Sequence, residues 1–148
     1  MARLVLLDSG PLGLLTAPPH KAAPQSCAQW LAGLIQAGCR VVVPEIADYE
    51  LRRELLRAGK MASVRRLDAL EQATEYLPIT TAAMRRAADV WAQARQQGQP
   101  TASDNTIDAD MILVGQADTI GLPFIIATTN VGHLARFVSA DLWQNITP

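Results

Sequence analysis

The chain has 148 residues, a mass of 16.0 kDa and a formal net charge of −1, with 49% hydrophobic and 18% charged residues. This composition excludes a disordered chain, and the length is typical of one hydrophobic core, so we expect a single domain over residues 1–148. The charge excludes attraction of a polyanion by the molecule as a whole, so nucleic-acid binding would need a local patch of Arg and Lys.

Two further features bound the class of protein. The N-terminal apolar run covers only residues 4–7, which is far too short for a signal peptide or a membrane span. The two cysteines, Cys27 and Cys39, are too few for a disulfide framework and are expected to be reduced thiols. We therefore expect a cytoplasmic protein without a membrane partner.

The first half of the chain predicts two buried strands and three helices. Residues 3–7 predict a strand that ends at Asp8 and the turn-forming sequence Ser-Gly-Pro. After a stretch rich in Pro and Ala, residues 27–37 have apolar side chains at helical spacing and end before Gly38. Residues 40–43 predict the second strand. Pro44 then favours a helix start, and helices are predicted at residues 45–58 and 61–73.

The second half continues the alternation. A short strand at residues 76–79 precedes a long helix that Thr80 caps and that ends near residue 97. Residues 98–105 predict a loop. The remaining predicted elements are a helix at 108–117, a strand at 123–128, a helical turn at 134–138 and an edge strand at 142–146. Strands that alternate with helices predict a three-layer α/β/α sandwich with a mainly parallel central sheet.

Acidic residues recur where ligands bind in such sheets, at the carboxyl ends of the strands. Asp8 follows the first strand, Glu50 lies on the helix after the second, and Asp108 and Asp110 begin the helix before the strand at 123–128. Carboxylates that lie close together repel one another unless they hold a proton or a cation. An all-oxygen ligand set without His or Cys suits Mg²⁺ or Mn²⁺.

Each acid also has an ordinary structural interpretation. Asp8 could simply begin the turn before Gly10, and Glu50 could be a solvated helix residue. Asp108 and Asp110 could be first-turn acids that the helix dipole favours, as could Glu45. Residue types alone leave these alternatives open.

Four segments together resemble the PIN-domain family. They are residues 6–12 (LLDSGPL), 43–51 (VPEIADYEL), 108–117 (DADMILVGQA) and 126–134 (IATTNVGHL). Their order and spacing over almost the whole chain carry the resemblance. It implies a PIN-like fold and a divalent-metal-dependent endoribonuclease that cleaves RNA phosphodiester bonds.

The same resemblance implies roles for individual residues. Asp8, Glu50 and Asp110 would be catalytic acids and ligands of Mg²⁺ or Mn²⁺. Many family members have a further acid near the position of His133, where this chain has none, and Asp108 is the nearest substitute as a metal ligand. The supporting residues, which would orient the phosphate or a carboxylate by hydrogen bonds, are Ser9, Asn130 and Thr128.

RNA must reach this acidic centre through local positive charge. The interval after Glu50 is rich in Arg, and Arg52 and Arg53 are the predicted nucleic-acid contacts because they lie nearest to Glu50 in sequence. The ordinary alternative for most of the basic residues here is a solvated helix face with ion pairs between successive turns.

Three classes of function are compared. The first resembles the VapC-like toxins of type II toxin–antitoxin pairs, which implies an RNA substrate, an antitoxin partner and a homodimer. The second is a catalytically weak or inactive PIN-like module that binds RNA, an alternative that His133 keeps open. The third is an aspartyl phosphatase or phosphoacceptor, which Asp8 would suit. Gly10 argues against it, because the phosphatase site needs a second Asp there.

Overall fold

A five-stranded sheet forms the centre of the computed structural model, which describes residues 3–97, 104–132 and 134–148, without the side chains of 104–107. All of its neighbouring strands pair in parallel, in the order β3-β2-β1-β4-β5. The strands are β1 (Leu4–Leu7), β2 (Arg40–Pro44), β3 (Glu75–Leu77), β4 (Phe124–Thr128) and β5 (Ala140–Leu142).

Helices connect these strands and cover both faces of the sheet. They are α1 (Ser9–Thr16), α2 (Ala22–Gln36), α3 (Glu45–Arg57), α4 (Met61–Ala73), α5 (Thr81–Gln96) and α6 (Asp104–Asp118), with 3₁₀ turns at Leu134–Arg136 and Trp143–Asn145. None of the helices in the described ranges is long and apolar enough to cross a membrane.

The alternation of side chains along β1 divides the interior into two cores. Val5 and Leu7 pack on one face with residues of α1, α2 and α4, among them Leu12 and Leu67. Leu4 and Leu6 pack on the other face with residues of α5 and α6. Every residue of β1 is buried, as expected for a strand at the centre of a covered parallel sheet. The predicted three-layer α/β/α architecture is confirmed.

Helices α5 and α6 pack closely because Gly115, which has no side chain, lies at their contact. A Cβ atom on Gly115 would collide with the carbonyl oxygen of Ala83. Only glycine lets the two helices approach this closely without a shift of backbone. This contact fixes the position of α6, which carries Asp110 towards the edge of the sheet described below.

Several predicted elements differ from the structure. Helix α1 was not predicted, because Ser-Gly-Pro resembles a turn, but a proline in the first turn of a helix loses no hydrogen bond. Helix α2 begins at Ala22 and α6 at Asp104, both earlier than predicted, and β3 is shifted to Glu75–Leu77. The predicted edge strand at 142–146 is wrong in position, since β5 ends at Leu142 and a 3₁₀ turn follows. Part of the predicted loop, residues 98–103, lies outside the described residues.

The strand order creates a crevice between the carboxyl ends of β1 and β4. The chain passes from β1 outward through β2 to β3, and then returns to the opposite side of β1 to form β4. The connections that leave the carboxyl ends of β1 and β4 therefore diverge, which opens a crevice at this point. Asp8 and Thr128 stand at the two sides of that crevice.

Candidate active site

Asp8 lies at the centre of the carboxyl edge, between the end of β1 and the start of α1. It is the N-cap of α1, and its Oδ1 accepts a hydrogen bond from the Ser9 N–H at 2.8 Å. Its Oδ2 accepts a hydrogen bond from the hydroxyl of Thr128 at 2.8 Å. Burial raises the pKa of Asp8, while the bonds from Thr128 and Ser9 oppose that rise. The carboxylate is thus held in one orientation by two neighbouring elements.

Glu50 and Asp110 bring two more carboxyl groups to the same place. Glu50 lies on α3, Asp110 lies on α6, and both side chains are half-buried. Burial raises the pKa of Glu50 to about 7, and the charges of Asp8 and Asp110 add to the effect. Because charges act at this strength only at short range, these three predicted acids share one partly desolvated site.

The loop after β4 supports Asp8 through Thr128. Thr128 is buried, and its Oγ1 also accepts a hydrogen bond from the backbone N–H of Asn130 at 3.1 Å. The structure therefore gives Asn130 a role through its backbone, in the turn that fixes the threonine hydroxyl. Gly10 lies against this loop, because a Cβ at that position would collide with the side chain of Thr129. The absence of a side chain at Gly10 lets α1 and the loop close around Asp8.

Asp108 lies on the outer side of Glu50, in a different position from Asp110. Its exposed side chain lines a groove of about 340 Å³ together with Glu50 and Arg53. The other walls of this groove are Ile46, Tyr49, Ala109 and Ile112. Its charge is not among the influences on the pKa of Glu50. Asp108 is thus at the entrance of the site, and His133, the other position expected to matter here, lies outside the described residues.

The two predicted RNA-binding arginines have different surroundings. The guanidinium of Arg52 turns inward and bonds the carboxylates of Asp48, Asp68 and Glu71, with its shortest N···O distance, 2.7 Å, to Asp68. Arg53 is exposed, lines the groove and lies over the ring of Tyr49 at 5.2 Å from the centroid. It also lowers the pKa of Glu50. The bonds of Arg52 do not favour the predicted contact with RNA, whereas the position of Arg53 does.

The chemistry of these side chains fits a hard divalent ion, although they do not form a finished site. The donors are carboxylate and hydroxyl oxygens. Burial, with the charges of Asp8 and Asp110, raises the pKa of Glu50, and a cation would offset the part that comes from these charges. In the part of the chain that the structure describes, no three acidic, His or Cys side chains already converge as metal ligands.

Two residues that shape the site were not predicted from the sequence. Buried Gln116 accepts a hydrogen bond from the Ile46 N–H at 3.1 Å and donates one to the Leu77 carbonyl at 2.8 Å, which fixes the start of α3. Tyr49 is 55% exposed in the groove beside Glu50. The available signals were a polar residue within the apolar run of α6, and an aromatic residue between Asp48 and Glu50.

Comparison with known proteins identifies the fold. No protein-family model and no curated protein matches the chain. FitAcB from Neisseria gonorrhoeae is 21% identical, with a TM-score of 0.70 over 96% of this chain and 99% of that chain. VapBC2 from Rickettsia felis, bound to a DNA fragment from their promoter, is 12% identical, with a TM-score of 0.67 over 95% and 98%. DNA-bound VapBC from Salmonella typhimurium is 19% identical, with a TM-score of 0.62 over 97% and 99%. The neighbours are PIN domains, so the predicted PIN-like fold is confirmed.

Proposed function

We propose that this protein is a divalent-metal-dependent endoribonuclease that acts as the cytoplasmic toxin of a toxin–antitoxin pair. The observation that carries the proposal is the placement of Asp8, Glu50 and Asp110 on three elements around one crevice, and the raised pKa of Glu50, which results from burial and from the charges of Asp8 and Asp110, supports it. Three elements that are distant in sequence bring these acids together at the crevice of the sheet. Perturbed acids in such a position are a mark of functional sites.

Asp8, Glu50 and Asp110 would hold Mg²⁺ or Mn²⁺. A divalent ion bound there would lower the pKa of a water molecule and neutralise charge on the scissile phosphate. Thr128 and the Ser9 N–H keep the Asp8 carboxylate in place by hydrogen bonds to both of its oxygens. Arg53, at the edge of the groove, would attract the RNA backbone towards these acids.

The partner proteins are proposed from the fold. Similar solved structures are of VapBC complexes, so we propose that an antitoxin binds this chain and that the toxin is a homodimer. Sedimentation of the purified chain alone, and with the product of a neighbouring antitoxin gene, tests both assemblies. A monomer that ignores that product would contradict this part of the proposal.

A second candidate is an RNA-binding module without catalysis. The observation that favours it is that position 133, near which many PIN domains have a further acid, is a histidine in this chain. The two candidates differ in one measurable property, which is metal-dependent cleavage of RNA.

The decisive experiment measures cleavage of a panel of labelled RNAs with Mn²⁺, with Mg²⁺ and with a chelator. We expect cleavage by the wild type only with metal, and a loss of at least about 100-fold in Asp8→Asn, Glu50→Gln and Asp110→Asn, because each removes a charge from the site. Glu54→Gln is the matched control, since Glu54 is an exposed acid on the same helix as Glu50.

Circular dichroism checks that each variant is folded. Full activity in Asp8→Asn would refute the site. RNA binding by the wild type without cleavage under any metal would replace the nuclease with the binding module.

A further inference from the structure

The groove beside Glu50 combines three features that suit an unpaired nucleotide. Tyr49 immediately precedes Glu50 on α3 and leaves 55% of its surface exposed. Arg53 lies one turn further along the helix, with its guanidinium 5.2 Å from the ring centroid of Tyr49. Ile46 and Ile112 provide apolar walls. An exposed aromatic ring, a cation and apolar walls thus lie together at the entrance to the acidic site.

The geometry connects this groove directly to the acids. Glu50 is both a lining residue of the groove and the group whose pKa responds to Asp8 and Asp110. A chain whose phosphate lies at these acids therefore has a neighbouring nucleotide at Tyr49. The groove volume of about 340 Å³ is within the range of small-ligand sites, about 300–1,000 Å³.

The chemistry of the groove favours a nucleobase over other occupants. Every base has a flat π-face, and proteins that bind single strands stack bases on exposed aromatic rings while basic residues follow the backbone. Arg can both stack and contact a phosphate, and here it already lies on the tyrosine ring. A carboxylate side chain of a partner protein is disfavoured in this groove, because Glu50 and Asp108 line it, whereas a nucleobase is neutral.

We propose that Tyr49 and Arg53 form a stacking platform for the nucleobase next to the scissile phosphate, so that Tyr49 positions single-stranded RNA for cleavage. The proposal rests on the ribonuclease function proposed above. Stacking does not distinguish one base from another but requires the base to be unpaired. The platform therefore selects single-stranded over double-stranded RNA.

The test uses the full chain, a single-stranded RNA with a mapped cleavage site, and the same RNA with an abasic nucleotide beside that site. We expect Tyr49→Ala to lower kcat/KM about tenfold, mainly through KM, and Tyr49→Phe to stay within about twofold of wild type, because the ring is retained. The kcat/KM of the wild type should be about tenfold lower on the abasic RNA than on the intact RNA. The kcat/KM of Tyr49→Ala should be nearly the same on the two RNAs.

Trp91→Ala is the matched control, because Trp91 is 39% exposed and carries Arg95 over its ring at 5.0 Å. It lies on α5 in a neighbouring groove that shares Asp108 and Ile112 with the Tyr49 groove but does not include Glu50. Normal kinetics in Tyr49→Ala would overturn the platform. The platform would also be overturned if Trp91→Ala lowered kcat/KM as much as Tyr49→Ala does. It would be overturned as well if Tyr49→Ala, compared with wild type, lowered kcat/KM equally on intact and on abasic RNA.

A binding measurement separates this proposal from the proposed function. Fluorescence anisotropy with both RNAs is measured for Asp8→Asn and for Asp8→Asn combined with Tyr49→Ala. Binding that is weakened by loss of the tyrosine or of the base, without cleavage by the wild type, supports the platform and rejects the nuclease. Cleavage together with binding that ignores Tyr49 rejects only the platform and leaves the groove to a partner protein. No RNA binding at all rejects both.

Discussion

Two acidic clusters lie on different sides of α3 and resolve their repulsion in different ways. The inner cluster surrounds Arg52, which bonds Asp48, Asp68 and Glu71. The outer cluster joins Glu50 to Asp8 and Asp110. The inner cluster has its own cation in the middle. Among the described residues, the cation that lowers the pKa of Glu50 is Arg53, which lies at the edge of the groove.

One acid of the inner cluster, Glu71, has a raised pKa. Burial, a hydrogen bond with Asp48 and the nearby acids raise the pKa of Glu71, against the opposing charge of Arg52. Glu71 Oε2 is buried and has no hydrogen-bond partner among the described residues, so no bond to this oxygen compensates for its lost hydration. The comparison teaches that an acidic cluster built for stability contains its countercharge. An acidic cluster without a cation of its own can bind a cation from solution.

The largest expected effect comes from removing the inner cation. Arg52→Met should destabilise the protein by about 2 kcal/mol at pH 7, because three acids lose the cation that, among the described residues, is their direct ion-pair partner in a partly buried setting. Urea unfolding measures the change, and part of the loss should return at pH 4.5 as the acids take up protons.

Arg57→Met is the control, since Arg57 and Glu54 form an exposed pair with side chains 73% and 56% accessible. It should change the free energy of unfolding by less than about 0.5 kcal/mol. Equal effects in the two variants would remove the distinction between the inner cluster and an ordinary surface pair.

An intermediate effect is expected at the outer cluster in metal-free buffer. The pKa of Glu50 in the folded protein, about 7, lies above its ordinary value of 4.5, so the folded state binds this proton more tightly than the unfolded state. The resulting stability is complete below about pH 4.5 and is lost as pH rises through 7. Glu50→Gln should remove this loss and be more stable than wild type at pH 8 by about 1 kcal/mol, after allowing for solvent screening.

Thermal unfolding between pH 5 and 8.5 in a chelator tests this, with a shift of about 2–4 °C expected at pH 8. Glu54→Gln provides the matched control. Added Mg²⁺ should raise the Tm of the wild type but not that of Glu50→Gln. If the stability of Glu50→Gln depended on pH as that of the wild type does, Glu50 would not be the source of this dependence.

The smallest effect is expected from replacing Arg53, at the edge of the groove. Arg53→Gln should weaken RNA binding a few-fold and lower the slope of log K against log salt by about 0.7, as for one lost phosphate contact to a single strand. Salt titrations of binding measure the slope, and Arg57→Gln, on the same helix, should leave it unchanged. An unchanged slope in Arg53→Gln would place the RNA elsewhere.

Most of the fold was predictable because its signals are local. The apolar runs of β1, β2 and β4, and the spacing of α3, α4 and α5, agree with the structure closely. Helix α1 was missed because its first turn has the residues of a tight turn, and only tertiary contacts of Pro11 and Leu12 reveal the helix. The shifted β5 is a three-residue edge strand, too short for alternation to mark it.

The sequence predicts which residues form the candidate site, but it does not predict their surroundings. The positions of Asp8, Glu50 and Asp110 follow from strand ends and from the resemblance, and the structure brings them together. Arg52 and Arg53 look equivalent in sequence, yet adjacent helix residues point about 100° apart, so one turns to α4 and the other to the groove. Two partners of Arg52, Asp68 and Glu71, lie 16 and 19 residues away, and no local pattern reports these contacts.

Asp8 meets two chemical requirements at a single position, and the two requirements allow different residue types. Beginning α1 requires a side chain that accepts a bond from a backbone N–H, which Asn, Ser and Thr also provide. Serving the acidic site requires negative charge, which only an acid provides. A descendant of this chain that abandoned catalysis could therefore lose the charge at position 8 while selection for folding still excluded aliphatic residues. In such a lineage we expect Asn, Ser or Thr at this position, as the trace of an activity given up while the helix was kept.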